Sequence, residues 1–416
     1  MPPSPPQPRG EPPWRQQLQA ALEALPPSRR RLLRTFRSTG AAGLQAVETP
    51  PLGAPQSPPL VDLASNDYLG LSRHGAILEA AAAVLAEQGL GAGASRLVCG
   101  TRPIHTQLEA ELALWLGRER LLLFPSGFQA NIAAVTALAD RHSLVLADRL
   151  IHHSLLAGVR CSGAQLQRFR HNDPSDLEQR LQGARRQGPQ RRILVLSESL
   201  FSMEGTSPPL AALAALCQHH QALLLLDEAH ALGVLGPGSR GLAAGLPDGA
   251  AQVPLLSGTF GKAFGSGGAF LACDSLLADW LLQHCGAFRY TTALAPPLAA
   301  GALAALHWLQ RHPQAGAELV ARAERWRQAL ADAGWPRPPG HGPILPLLVG
   351  DDRQALALQQ RLEEAGLLSV AIRPPTVPAG SARLRLVLRQ DCPPKTLPRL
   401  LAALGPPVIR ATAADT

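Results

Sequence analysis

The chain has 416 residues, of which 46% are hydrophobic and 17% are charged. It is therefore long enough to bury more than one core and too apolar for a disordered protein. Its formal net charge of +8 permits binding to nucleic acids, membrane surfaces or phosphorylated substrates. However, no helix-turn-helix spacing, zinc-ligand spacing or basic run with interleaved aromatic residues accompanies that charge.

Six cysteines are widely scattered without a CxxC pair. This argues against a zinc site and a disulfide framework and favours reduced thiols in the cytoplasm. The proline-rich N-terminus lacks the apolar core of a secretory signal. No apolar run reaches the roughly 18 residues that a membrane span requires.

The first 62 residues predict an N-terminal arm. Residues 1–13 are proline-rich, and we expect them to be disordered. Residues 14–33 predict an amphipathic helix that is broken at Pro26–Pro27, and residues 50–59 predict a proline-rich connector. The arm also carries a basic cluster, which is either a solvated helix face or a site for an anionic acyl carrier: Arg29, Arg30, Arg31, Arg34 and Arg37.

Residues 63–297 alternate short, uninterrupted apolar runs with helical patterns. This alternation predicts an α/β fold whose large domain has a mainly parallel central sheet covered on both faces. Ligands of such sheets bind at the carboxyl ends of the strands. We predict helices at 76–90 and 105–116, and strands at the start of 60–71 and at 120–124, 144–147, 192–197, 222–226 and 255–256.

Residues 298–416 predict a smaller C-terminal α/β domain. Two long helical patterns are followed by a shorter set of alternating strands and one helix. We predict helices at 298–311, 315–333 and 353–365, and strands at 344–349, 370–372 and 382–388.

Lys262 lies in the glycine-rich segment 257–268 and is one of only two lysines in the chain. A desolvated lysine can lose its proton and become a nucleophile, which arginine cannot do. Flanking glycines allow the backbone to approach a bound group closely. A lysine on an exposed turn is the alternative, and a compositional preference for arginine weakens the argument from rarity.

Asp227 ends a buried apolar strand, where a carboxylate is costly unless it meets a cation. His230 follows three residues later, but these two side chains alone do not make a metal site. Glu228 has the plainer interpretation of a capped turn. A strand-end aspartate and a glycine-flanked lysine about 35 residues later are the two anchors that pyridoxal phosphate needs.

Further residues suit the same cofactor. Ser126, Gly127 and Phe128 lie between a strand and a helix, where backbone N–H groups can bind phosphate. His152 lies in a segment that resembles a loop placing an imidazole over the cofactor ring, although a surface histidine is an equally simple interpretation. Ser202 and Thr259 are candidate hydroxyl donors to the ring oxygen or the phosphate.

Several segments, taken in order, resemble the α-oxoamine synthases, a fold-type-I family of pyridoxal-phosphate enzymes. The resemblance runs from about residue 66 to residue 388, and one departure is His153, where the family usually has a small residue. The matching segments are SNDYLGL (65–71), FPSGFQAN (124–131), DRLIHHSL (148–155), RFRHND (168–173), SESLFSMEGTSPPL (197–210), LLLDEAHALGVLGPGSRG (224–241), TFGKAFGSGGAF (259–270) and RYTTALAPP (289–297).

The resemblance implies a role for each matching residue. Lys262 would form the Schiff base and remove the substrate's α-proton, Asp227 would hold the ring nitrogen, and His152 would stack on the ring. The other implied contacts are His230 with the ring hydroxyl; Gly127, Phe128, Ser202 and Thr259 with the phosphate region; Thr292 with the cofactor of a second subunit in a homodimer; Asn66 and Arg385 with the substrate carboxylate; Arg373 and Thr376 with the acyl group; and Arg34 or Arg37 with the substrate.

Residues 371–386, AIRPPTVPAGSARLRL, are most similar to the biotin-pathway branch of this family. That branch implies condensation of L-alanine with pimeloyl-CoA or pimeloyl-acyl carrier protein, with loss of CO2 and of the free thiol. Glycine C-acetyltransferase, 5-aminolevulinate synthase and serine palmitoyltransferase activities remain alternatives. A non-catalytic basic binding protein on a degenerate fold is an alternative of a different class, which the intact Lys262, Asp227 and His230 disfavour.

Overall fold

The computed structural model describes residues 12–40, 42–47 and 58–407. The α-helices in these ranges are α1 (Pro13–Glu23), α2 (Gly75–Gln88), α3 (Pro103–Leu116), α4 (Gly127–Leu138), α5 (His153–Ser162), α6 (Pro174–Gln187), α7 (Leu210–His219), α8 (Gly249–Gln252), α9 (Ser275–His284), α10 (Gly286–Arg289), α11 (Pro296–Arg311), α12 (Ala315–Asp332), α13 (Asp352–Glu364) and α14 (Thr396–Leu404). The β-strands are β1 (Phe36–Ser38), β2 (Gly43–Ala46), β3 (Leu60–Asp62), β4 (Arg120–Phe124), β5 (Leu144–Asp148), β6 (Gln165–Phe169), β7 (Ile193–Glu198), β8 (Leu223–Asp227), β9 (Leu255–Thr259), β10 (Ala269–Cys273), β11 (Ile344–Gly350), β12 (Leu367–Leu368), β13 (Val370–Ile372) and β14 (Ala382–Val387).

The central sheet has the strand order β4-β10-β9-β8-β7-β5-β6. Strands β9, β8, β7, β5 and β6 pair in parallel, whereas β10 is antiparallel to both β4 and β9. Alternate side chains of β8 pack into two different hydrophobic cores. Leu224 and Leu226 lie on one face of the sheet, and Leu225 lies on the other. The predicted mainly parallel sheet covered on both faces is therefore confirmed.

Most predicted strands are confirmed to within two or three residues at either end, but β6 and β10 of the central sheet and the short strands β1, β2 and β12 were not predicted. β6 is an edge strand, QLQRF, in which only Phe169 is buried, so it shows no apolar run. β10 is fully buried, yet it follows the glycine-rich segment at once and has only five residues. The two long C-terminal helices are confirmed as α11 and α12.

The N-terminal arm departs from the prediction. Helix α1 ends at Glu23, and after Pro26 a single 3-10 turn at Pro27–Arg29 leads into extended chain. Helix formation stops here because each proline lacks a backbone N–H and clashes with the preceding turn. Pro12 precedes α1 and Pro13 is its first residue. Residues 1–11 of the segment expected to be disordered, like most of the predicted connector, lie outside the described residues.

The basic cluster of the arm contacts the C-terminal part of the chain. Arg29 pairs with Asp352 at 3.0 Å, and Arg34 pairs with Glu363 at 2.6 Å. Neither arginine lies in an α-helix. Arg29 and Arg34 are therefore not part of a solvated helix face, and the acyl-carrier alternative stays a prediction.

The two ends of the described chain share one sheet with the order β1-β2-β3-β12, in which β12 runs parallel to β3. A second small sheet has the order β11-β14-β13. The domain bounds at 62 and 297 stay a prediction, because these pairings join the arm to the C-terminal part. No helix among the described residues is long and apolar enough to span a membrane. The six cysteines all lie within the described ranges, and none forms a disulfide.

Arg389 joins the segment after β3 to the segment after β14. Its guanidinium lies 3.0 Å from Asp62, 3.3 Å from Asp67 and 2.8 Å from Asp391. The arginine side chain is only 7% exposed, so water screens these contacts weakly. This ion cluster holds the turn that contains Asn66 next to the strand that contains Arg385.

Replacing Arg389 by methionine should destabilise the protein by about 3–5 kcal/mol, because three carboxylates then face one another without a cation. Urea unfolding measures this loss. Arg120→Met is the matched control, since Arg120 pairs with Asp279 at the surface and such pairs contribute less than about 1 kcal/mol. Equal losses for both variants would contradict the role given to Arg389.

Candidate active site

A cavity of about 210 Å³ opens at the carboxyl ends of β7, β8 and β9. The structure brings seven predicted site residues into its wall: Gly127, Phe128, His152, Asp227, His230, Thr259 and Lys262. Four further polar residues line it that the sequence interpretation did not include: Asn131, Ser154, Glu198 and Ser257. The position of this cavity agrees with the rule that parallel sheets bind ligands at their carboxyl edge.

Asp227 is the last residue of β8 and is 6% exposed. Its Oδ2 accepts a hydrogen bond from Asn131 Nδ2 at 2.7 Å, and its Oδ1 accepts one from the Ala229 N–H at 2.9 Å. Among the described residues, no arginine, lysine or histidine forms an ion pair with it. A buried carboxylate whose hydrogen-bond donors are neutral keeps its negative charge, which can stabilise a cation in the cavity.

Lys262 lies across the cavity in the turn between β9 and β10. Burial lowers the pKa of its amine to about 8, against the opposing charges of Asp227 and Glu198. The turn needs glycine at Gly265, where φ is +62° and a Cβ would lie 2.2 Å from the backbone nitrogen of Ser72. The sequence thus positions an amine that is partly neutral near neutral pH.

His152 caps the start of α5 and lies at the mouth of the cavity. Its backbone N–H donates to Glu198 Oε1 at 2.6 Å. Its Nδ1 accepts from the Ser154 N–H at 3.3 Å, so the imidazole proton of the neutral ring lies on Nε2. Ser154 Oγ lies 2.7 Å from the same Nδ1 and accepts from Asn131 Nδ2 at 3.0 Å. A continuous set of hydrogen bonds therefore orients both Asp227 and His152.

Glu198 is the most informative residue that the sequence interpretation missed. It ends β7 and lies opposite Asp227 in the sheet register. Burial, followed by the nearby Asp227 charge, raises its pKa well above the usual value for a glutamic acid. The sequence signal for Glu198 was its position at the end of a predicted strand, in the SESLF segment. The sequence interpretation instead gave a functional role to the nearby hydroxyl residue Ser202.

The start of α4 supplies a place for an anion. Gly127 and Phe128 are the first residues of this helix, so their N–H groups have no partner within the helix. A Cβ on Gly127 would lie 3.5 Å from Thr259 Cβ, which places the helix start next to the Thr259 side chain. Backbone N–H groups and the helix dipole favour a phosphate at this position.

Arg385, Asn66 and Ser202 form a second group beside the cavity. Arg385 is 6% exposed; its Nε donates to the Ser202 carbonyl oxygen at 2.6 Å, and its Nη2 donates to Asn66 Oδ1 at 2.9 Å. Tyr68, which the sequence interpretation did not single out, places its hydroxyl 2.6 Å from His230 Nδ1. The structure thus joins the predicted carboxylate-binding residues to the cavity through a tyrosine.

The predicted arginines of the arm do not line the cavity. Arg34 donates to Glu363 at 2.6 Å, and Arg37 donates to Gln45 at 2.8 Å. These contacts occupy both guanidinium groups with neighbours in the arm and in α13. Neither residue is brought to the cavity by the fold of this single chain.

Arg373 and Thr376 lie together, apart from the cavity wall. The Arg373 guanidinium donates to the Ser28 carbonyl oxygen, and Arg31 donates to Thr376 Oγ1 at 3.0 Å. Arg31 therefore contacts the segment that was expected to bind the acyl group, although Arg34 and Arg37 were the predicted arginines.

Residues 58–404 match the model of the family "Aminotransferase class I and II". The chain belongs to this family, and its fold is that of the fold-type-I pyridoxal-phosphate enzymes. It is 44% identical over 351 residues to the 8-amino-7-oxononanoate synthase of Alkalilimnicola ehrlichii. The aligned region covers 83% of this chain and 88% of that protein. At this likeness the chain belongs to the 8-amino-7-oxononanoate synthase family.

Solved structures agree with this assignment of the fold. A serine palmitoyltransferase from Sphingomonas wittichii has a TM-score of 0.83 and 27% identity, covering 94% of each chain. The 8-amino-7-oxononanoate synthase of Francisella tularensis has a TM-score of 0.70 and 26% identity, covering 83% of this chain and 96% of that one. The predicted fold class and family are confirmed.

The residues around the cavity fit pyridoxal phosphate. Asp227 offers a carboxylate for a protonated ring nitrogen, Lys262 offers an amine for the aldehyde, and the start of α4 offers N–H groups for the phosphate. Asn131 Oδ1 and Ser257 Oγ line the cavity and are buried, and neither has a hydrogen-bond partner in the described chain. Such unsatisfied polar atoms are expected where a polar group binds.

Glu198→Gln should raise the thermal unfolding midpoint at about pH 8 more than at about pH 5. The glutamate pKa is raised in the folded state above the ordinary 4.5. Its contribution to stability is therefore complete below that value and is lost as the pH rises towards the folded-state pKa. Glutamine keeps the oxygen that accepts from His152 and removes this ionisation.

Glu119→Gln provides a comparison of opposite sign. The Ser275 backbone N–H donates to the Glu119 carboxylate at 2.9 Å, and contacts with Ser275 lower the pKa of this exposed glutamate. Its contribution to stability is present above its ordinary pKa, so this variant should lose stability at about pH 8. If the unfolding midpoint of Glu198→Gln falls with rising pH by as much as that of the wild type, the raised pKa assigned to Glu198 is contradicted.

Proposed function

We propose that this chain catalyses the pyridoxal-phosphate-dependent condensation of L-alanine with a pimeloyl thioester. The products are 8-amino-7-oxononanoate, CO2 and the free thiol of CoA or of an acyl carrier protein. The observation that carries the proposal is that Lys262 and Asp227 line the same cavity in a chain 44% identical to an 8-amino-7-oxononanoate synthase. The cofactor assignment is supported by a serine palmitoyltransferase of 25% identity solved "with PLP internal aldimine".

Bound pyridoxal phosphate supplies an electron-accepting ring that stabilises negative charge on the substrate α-carbon. Lys262 would bind the aldehyde, and its neutral amine would accept the α-proton of the amino acid on Nζ. A pKa of about 8 suits this work, because a base is most effective when its pKa lies near the working pH. Asp227 would hold the ring nitrogen in its protonated form.

Three other residues orient the substrates. Arg385 and Asn66 bind the carboxylate of the amino acid, since a guanidinium donates two N–H groups in the geometry that a carboxylate accepts. His152, with its proton on Nε2, donates towards the oxyanion that develops when the thioester is attacked. His230 would donate to the ring hydroxyl of the cofactor, and Thr259 would contact its phosphate.

We also propose that the protein acts as a cytoplasmic homodimer with shared active sites. The loop before α3 exposes large apolar side chains, with Leu90 76% and Val98 78% exposed. Thr292 pairs through an isolated bridge with Ser95 in this same loop, so a second subunit placed on the loop would have Thr292 at its edge. Thr292 would then reach the cofactor phosphate of that second subunit.

A second candidate is another condensation of the same type, such as serine palmitoyltransferase activity. The higher TM-score of the Sphingomonas wittichii enzyme, 0.83 against 0.70, favours it. The sequence favours the first candidate, because 44% identity to an 8-amino-7-oxononanoate synthase exceeds the 27% identity to the palmitoyltransferase.

In protein loaded with the cofactor in the absence of amino acid, Lys262→Ala should change the absorbance from that of an imine to that of the free aldehyde, and it should lower kcat by more than about 10³-fold. Lys395→Ala is the matched control, because Lys395 is the only other lysine and precedes α14. It should leave both the spectrum and turnover unchanged. A wild-type imine spectrum without amino acid, or wild-type turnover, in the Lys262 variant would rule out the assigned amine.

Substrate choice is tested by pairing amino acids with acyl thioesters and detecting released CO2 and thiol. L-Alanine with pimeloyl-CoA or pimeloyl-acyl carrier protein should react, and glycine with acetyl-CoA or L-serine with palmitoyl-CoA should react at least about a hundredfold more slowly. Exclusive use of either of the latter pairs would replace the proposed reaction with the corresponding alternative.

A further inference from the structure

Tyr68 and His230 come from distant parts of the chain and meet beside the cavity. Tyr68 follows β3 and is fully buried, and His230 follows β8 and is 6% exposed. The Tyr68 hydroxyl lies 2.6 Å from His230 Nδ1, which is a short distance for a neutral hydrogen bond. On the other side, the Arg385 guanidinium lies close enough to the Tyr68 hydroxyl for its charge and its N–H groups to oppose the rise in the Tyr68 pKa.

The direction of these bonds follows from what each group can do. A guanidinium only donates, so the Tyr68 oxygen accepts from Arg385. The one hydroxyl hydrogen has two possible acceptors, His230 Nδ1 at 2.6 Å and Asn66 Oδ1 at 3.5 Å. The contact with His230 Nδ1 is much the shorter of the two and is therefore the stronger hydrogen bond. The hydroxyl therefore donates to His230, and the chain of donation runs from Arg385 through Tyr68 to His230.

This direction decides the tautomer of His230. Because Nδ1 accepts, the proton of a neutral imidazole must lie on Nε2. Burial, and then the positive charges of Lys262, Arg385 and His152, lower the pKa of His230 well below its usual value. Burial also raises the pKa of Tyr68 to about 12, so its hydroxyl keeps its hydrogen. The Nε2–H is thus the donor that His230 offers to the cavity.

We propose that Tyr68 is a positioning residue that fixes the tautomer of His230 and couples it to the carboxylate-binding Arg385. The inference rests on the proposed function, in which His230 donates to the ring hydroxyl of the cofactor. A carboxylate bound to Arg385 competes for the guanidinium and weakens its donation to Tyr68. Hydrogen bonds in such a chain polarise one another, so the change reaches His230.

The test compares the purified holoenzyme with its Tyr68→Phe variant, which keeps the ring and removes only the hydroxyl. Tyr290→Phe is the matched control, since Tyr290 is the only other tyrosine and is 80% exposed. Far-ultraviolet circular dichroism and thermal unfolding check that each variant folds. The main readout is the pH midpoint of the cofactor's visible absorbance band, with and without propionate, a carboxylate that lacks the amine of alanine.

Tyr68→Phe should raise the pH midpoint by about half a unit to one unit, which is the effect of one neutral hydrogen bond. The ring oxygen is then less stabilised as an anion, so the protonated form persists to higher pH. The KM for L-alanine should rise about three- to tenfold with a smaller change in kcat, because Arg385 loses one partner. Propionate should shift the midpoint clearly less in this variant than in the wild type.

An unchanged midpoint in a folded Tyr68→Phe protein overturns the positioning role, and an equal propionate shift in both proteins overturns the coupling. A wild-type protein without any visible band overturns the proposed function itself, and this inference with it. Should Tyr68→Phe retain too little cofactor for a spectrum after purification, titration with pyridoxal phosphate replaces it. The affinity should then be weaker than that of Tyr290→Phe, and equal affinities would contradict the proposal.

Discussion

The structure depends on one carboxylate that is buried at the end of a central strand, where burying its charge is energetically unfavourable. Asp227 is held by Asn131 and by a backbone N–H, and both are neutral donors that leave its charge available. A charge in such a place is destabilising unless a cation compensates for it. Across the cavity, Lys262 has its pKa lowered by the same burial. The site therefore suits a ligand that brings a cationic ring and accepts an amine.

Rigid connections surround this pair. The Asn131 amide contacts both Asp227 and Ser154, so the carboxylate and the His152 loop are held together. Arg389 gathers Asp62, Asp67 and Asp391 in one ion cluster, which holds the turn containing Asn66 and Tyr68 in place. Residues from both ends of the described chain thereby border a site whose core is built by the central sheet.

Sequence reasoning predicted the features that depend on local pattern. Continuous apolar runs gave the parallel strands, and residue type with spacing gave Lys262, Asp227 and the start of α4. It missed Glu198, Asn131 and Tyr68, because their roles arise from strand register and from contacts between distant segments. The family resemblance implied that Arg34 or Arg37 would contact the substrate, whereas these side chains contact Glu363 and Gln45 in this single chain.

The central claim is that one of two lysines binds an aldehyde cofactor above Asp227. The most direct measurement is borohydride reduction of the protein as purified with pyridoxal phosphate, followed by peptide mass mapping. The account predicts a pyridoxyl group on the peptide that contains Lys262 and none on the peptide that contains Lys395. Modification of Lys395, or an unmodified Lys262 peptide in a protein that retains activity, would contradict it.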